Sequence, residues 1–98
     1  MASYRVTLTI GRLAPGVAPD AVLPAAAEAA AAEVTVEARD VAVVRGEARL
    51  VVRFSADSDH QAARVADLVA TATTRLAEVQ RAALTRRDGG AWMRLAYP

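Results

Sequence analysis

The sequence predicts an α+β fold in which two helices each follow a strand and lead into another. Three observations carry that expectation. Tyr4 to Ile10 alternates apolar and polar residues without a break. Glu33 to Ala56 holds two more alternating stretches, separated by Arg45-Gly46. Asp20 to Ala32 and Ser58 to Arg87 instead carry helical composition, the second with an apolar stripe recurring every three or four residues. A period of two marks a half-buried strand, and a period of 3.6 marks an amphipathic helix.

In the first strand, Tyr4, Val6, Leu8 and Ile10 share one face, and Arg5, Thr7 and Thr9 share the other. Gly11 to Pro19 reads as a loop. Asp20 is placed to cap a helix running to Ala32, with Pro24 tolerated in its first turn and Ala25 to Ala32 supplying high propensity. In the hairpin, Ala48, Leu50, Val52, Phe54 and Ala56 oppose Arg49, Val51, Arg53 and Ser55. The preceding strand starts with Val34, Val36 and Ala38 in phase and then shifts to Val41 and Val43. A one-residue slip flips faces, so a β-bulge is expected near Arg39-Asp40. Gly46 suits the positive φ of a short hairpin turn.

Ser58-Asp-His-Gln61 has the spacing of a capping box. Beyond it Val65, Leu68, Val69, Ala72, Leu76, Val79 and Ala83 line one helical stripe, which predicts a helix ending near Arg86-Arg87. Such a helix would extend roughly 40 Å, against about 23 Å for a seven-residue strand. It must therefore overhang the sheet or break, with Thr71 to Thr74 as the place to break. After Asp88-Gly-Gly90, Met93, Leu95 and Tyr97 alternate with Trp92, Arg94 and Ala96 in a last strand. The order strand, helix, strand, strand, helix, strand is the split-βαβ, ferredoxin-like arrangement. It implies a four-stranded antiparallel sheet, numbered in chain order as 4-1-3-2, with both helices on one face.

The length, 98 residues, fits a single domain spanning 1–98. The formal net charge is +1, so no global field draws nucleic acid or an anionic membrane. All 12 basic residues are arginine, which fits a GC-rich coding sequence. With no cysteine there is no thiolate nucleophile or sulfur ligand. No signal-peptide core or membrane-length apolar run is present, and a cytoplasmic protein without membrane contact is expected.

Chemistry has few candidates. His60 is the sole histidine, and its plain reading is an exposed residue beside a helix cap. Asp57, Asp59 and His60 lie too close in sequence to converge on one metal, and no phosphate-cradling glycine motif leads into a helix. No cofactor or metal is expected, and enzymatic activity has no positive support.

The open sheet face is more informative. Arg5, Arg49, Val51 and Arg53 from the central strands, with Arg39, Trp92 and Arg94 from the edges, form the expected ligand or interface surface. In topology and position this face resembles an RNA-recognition motif. That family stacks bases on aromatics of the two central strands, where this chain has Arg, Thr and Val instead. Tryptophan and arginine are enriched at interface hot spots. The leading expectation is a non-catalytic, self-associating binding or assembly module, with a homodimer favoured. The alternatives are a nucleic-acid or anionic-ligand binder using Arg5, Arg49, Arg53 and Arg94, and a small enzyme whose site forms between subunits around His60.

Overall fold

The computed structural model describes residues 1–97. Its strands are β1 (Ala2–Leu13), β2 (Thr35–Val44), β3 (Glu47–Ala56), β4 (Ala77–Asp88) and β5 (Ala91–Arg94), and its helices are α1 (Val22–Ala31) and α2 (Asp59–Thr74). All five strands form one antiparallel sheet in the order β2-β3-β1-β4-β5. Tyr4, Val6 and Leu8 of β1, Leu50, Val52 and Phe54 of β3, and Leu84 of β4 face the helices. They share one core with Ala26 and Ala30 of α1 and Ala62, Val65, Ala66 and Val69 of α2. The small alanines let the two helices and the sheet approach closely. The Tyr4 and Phe54 rings stack inside this core, with centroids 5.9 Å apart.

This architecture corrects the four-stranded, ferredoxin-like expectation with order 4-1-3-2. The segment expected as the second half of a long helix is instead strand β4. The segment expected to close the sheet is a short fifth strand, β5, paired to β4 alone. The dimensional mismatch explains the break. Sixteen residues of α2 extend about 24 Å at 1.5 Å per residue, enough to cross the sheet once. Thr73 and Thr74 at its end turn their hydroxyls back onto the carbonyls of Val69 and Ala70, both at 2.8 Å. Such back-bonding weakens a helix locally. Leu76 N–H then donates to Thr73 O at 2.9 Å, and Ala14 N–H donates to Leu76 O at 2.8 Å, anchoring the turn to the end of β1.

Two further expectations shift. The bulge on β2 lies at Glu37, since Val36 pairs with Phe54 and Ala38 with Arg53. That places Ala38 and Asp40 on the open face, and Arg39, Val41 and Val43 on the helix side. Asp20 does not cap α1; a 3-10 turn at Pro19–Ala21 leads into it, and no side chain caps the helix. At α2 the Ser58 cap forms, while the Gln61 side chain reaches one residue past the position a capping box requires. Ser58 Oγ accepts from Gln61 N–H at 3.1 Å, and Gln61 Oε1 accepts from Asp57 N–H at 2.7 Å. Among the described residues no helix is long and apolar enough to cross a membrane.

Candidate functional site

The sheet face away from the helices is built by strand alternation. Arg5, Thr7 and Thr9 of β1 pair with Arg53, Val51 and Arg49 of β3 on one side and with Thr85, Ala83 and Arg81 of β4 on the other. Arg87 pairs with Trp92, and Thr85 with Arg94, which carries the same face onto β5. A seven-residue sequence expectation is thereby sorted. Arg5, Arg49, Val51, Arg53, Trp92 and Arg94 lie on the open face. Arg39 sits opposite Val52 on the β2 edge and borders both the open-face depression and the groove between α1 and β2.

Trp92 organises one end of the face. The Arg5 guanidinium lies over its ring, 4.0 Å from the centroid, with Arg53 at 5.3 Å and Arg87 at 5.5 Å. An indole face attracts cations through its quadrupole, by about 0.5–1 kcal/mol for each exposed contact. The ring also spaces three like charges that would otherwise repel one another.

Ion pairing then separates the arginines by availability. Arg53 donates to Glu37 at 2.9 Å, while Arg49 and Arg81 share Glu47 at 3.7 and 3.0 Å. Arg5, Arg87 and Arg94 have no carboxylate within ion-pair distance among the described residues. Three unpaired charges therefore lie over β1, β4 and β5, while Glu47 offsets one of the two charges of Arg49 and Arg81. Beside them is a shallow depression of about 390 Å³, floored by Thr7 and Val51 and walled by Arg5, Arg53, Arg39 and Asp40. Toward the other end, the Nε–H of Arg49 is buried with no acceptor among the described residues. An unmet buried donor is costly to the fold.

Arg81, Thr85 and Arg87 do not follow from the broader sequence pattern, whose composition and spacing over β4 favour a helix. The alternation Ala82, Leu84, Arg86 against Ala83, Thr85, Arg87 is the signal that places them.

The helix side holds a second polar arrangement. Tyr4 O–H, at the end of a buried ring, donates to Asp59 Oδ1 at 2.7 Å, and Asp59 Oδ2 accepts from Arg86 at 2.5 Å. Arg86 and Tyr4 hold the Asp59 carboxyl below the usual carboxylate range by hydrogen bonding to its charged form. Burial, reinforced by the Asp59 charge, pushes the Tyr4 phenol up to about 12. The arrangement ties β1, the start of α2 and β4 together, which accounts for it structurally. His60 is exposed on the rim of a shallow depression shared with Asp67 and Tyr97. Among the described residues no group of three or more potential ligands converges on a metal position.

Comparison of the chain with protein-family models, curated protein sequences and solved structures finds no match.

Proposed function

We propose that this chain is a non-catalytic binding module whose working surface is the open sheet face, and that its partner is anionic. One observation carries the reading: three guanidiniums surround Trp92, and two of them, Arg5 and Arg87, lack a neutralising carboxylate among the described residues. Collecting like charges is unfavourable unless a partner supplies the opposite sign. Guanidinium offers bidentate donors to phosphate, and an indole offers a stacking surface for a base. The face is shallow and open, which suits an extended chain better than an enclosed small molecule. Single-stranded nucleic acid fits all three features.

The chain's single tryptophan makes the test direct. Trp92 fluorescence is followed while a short single-stranded oligonucleotide is added at low salt, with inorganic phosphate and a nucleoside triphosphate as separate arms. A saturable change with the oligonucleotide, reversed by salt, is the expected result. A response to the triphosphate alone would narrow the partner to a small phosphate ligand. No response in any arm would end the proposal.

Self-association is the second reading, and a different observation favours it. Val41 and Val43, on the bare edge strand β2, are 46% and 72% exposed. Apolar side chains at a free strand edge are a template for pairing with another chain.

A further inference from the structure

The two margins of the sheet differ in how well they resist pairing. On one side β5 covers only Thr85 to Asp88, and the bare part of β4 carries Glu78, Gln80 and Arg81. Charged and polar residues on an edge discourage strand addition. At the other margin β2 is ten residues long. Its first half is guarded by the Glu37 bulge, Arg39 and Asp40. Its second half, Val41-Ala42-Val43-Val44, has no charge, proline or bulge.

The turn fixes which backbone groups of β2 are free. Arg45 and Gly46 have φ of 53° and 78°, the signature of a two-residue type I′ turn. In such a turn the residues before and after it, Val44 and Glu47, form a hydrogen-bonded pair. Hydrogen-bonded and non-hydrogen-bonded pairs alternate along an antiparallel ladder. Val44, Ala42 and Asp40 therefore direct their backbone N–H and C=O toward β3, and Val43, Val41 and Arg39 direct theirs outward.

A strand that pairs antiparallel with its own copy about a two-fold axis must place one residue opposite itself. Centring on Val41 sets Arg39 opposite Val43 in both directions, so each outward-facing residue meets another. Asp40 then faces Ala42, and no like charges oppose. Centring on Arg39 or Asp40 instead brings identical charges together, and centring on Ala42 sets Arg39 against Arg45. The Val41 register also directs Val43 of the second copy to the helix side beside Arg39. There a groove of about 330 Å³, lined by Ala27, Ala31 and Val36, runs between α1 and β2.

We propose that β2 pairs antiparallel with β2 of a second copy of this chain, Val41 opposite Val41, joining two five-stranded sheets into one. This rests on the self-association reading and adds its surface and register. Because the chain has no cysteine, single-cysteine variants report that register. Directly opposed, hydrogen-bonded residues have Cα atoms about 5.5 Å apart, within the reach of a disulfide. Val41→Cys should cross-link to a covalent dimer under mild oxidation. Val43→Cys should not, because the two copies of residue 43 lie about 13 Å apart along the strands. Val41→Pro should abolish association while leaving the circular dichroism spectrum unchanged, since β3 does not use the Val41 N–H. Light scattering gives the other half of the answer. A wild-type dimer in which Val43→Cys cross-links, or Val41→Cys does not, overturns this register and leaves self-association standing. A wild-type monomer at high micromolar concentration overturns both, and leaves the edge to a strand of some other protein.

Discussion

Replacing Arg5 with alanine tests the separation of free from neutralised arginines on the open face. Arg5, Arg87 and Arg94 have no carboxylate partner among the described residues, whereas Arg53 pairs one-to-one with Glu37. If each free guanidinium displaces the counterions of one phosphate on a single strand, the plot of log affinity against log salt has a slope of about −0.7 per contact. Three contacts give a slope of about −2, so a fourfold rise in salt weakens binding roughly twentyfold. Arg5→Ala should make the slope shallower by about 0.7. It should also weaken binding at every salt concentration, because Arg5 is the guanidinium nearest the Trp92 ring. Arg53→Ala should leave the slope nearly unchanged, because Glu37 already balances that charge one-to-one at 2.9 Å. The assay is the Trp92 fluorescence titration, repeated across a salt series for the wild type and both variants. If Arg53→Ala flattens the slope as much as Arg5→Ala does, the ion-pair reasoning is refuted.

Other outcomes follow from single contacts. Ser58→Ala removes the acceptor for the Gln61 N–H and should cost about 1 kcal/mol, lowering the thermal midpoint by roughly 4–8 °C in a calorimetric scan. Gly46→Ala forces a Cβ into the left-handed region at φ 78° and should destabilise the hairpin by about 1 kcal/mol in urea unfolding, while Gly90→Ala, where a Cβ meets open space and φ is not positive, should be close to neutral. Burial, with neighbouring carboxylates, pushes the Tyr4 and Tyr97 phenols from 10 up to about 12. Their raised pKa values add stability that is complete below pH 10 and drains away as the pH climbs toward 12. Tyrosinate absorbance should therefore rise late in the folded protein, and a Tyr4→Phe/Tyr97→Phe variant should lose less stability between pH 10 and pH 12; equal losses would contradict the assignment.

Alternation reveals β1, β3 and even the bulged β2, and fails only at β4, where the bulge falls into helical spacing. Tyr4 to Ile10 and Ala48 to Ala56 keep strict period two, and both lie where expected. In β4 the alternation is interrupted: Thr9 pairs with Arg81 but Ile10 pairs with Val79, leaving Gln80 as an extra residue. Across that slip, Leu76, Val79 and Ala83 fall by coincidence into helical spacing. The composition agrees with the coincidence, since Ala, Glu, Gln, Leu and Arg are all good helix formers. Tertiary pairing with β1 overrides that local preference. Length was the better guide, because a helix to Arg86 would have outrun its sheet, and the break falls within the threonine cluster. The open face was legible in the same uneven way. Its β1 and β3 side chains followed from alternation, while Arg81, Thr85 and Arg87 were lost with β4. The neutralising roles of Glu37 and Glu47 depend on pairings distant in sequence that no local pattern reveals.

The central position of β1 has a consequence for how the structure is acquired. β2 with β3, and β4 with β5, are local hairpins that close over short spans of chain. β1 is the first strand in sequence and the middle one in space, pairing Tyr4 with both Phe54 and Arg86. The two hairpins share no other neighbour, so the sheet becomes continuous only when that early strand captures both. Closing such long loops is entropically slow. During synthesis on a ribosome, β1 waits for β3 and α2 to emerge before its apolar face is covered. Substitutions that weaken β1 should slow folding more than equally destabilising changes in either hairpin.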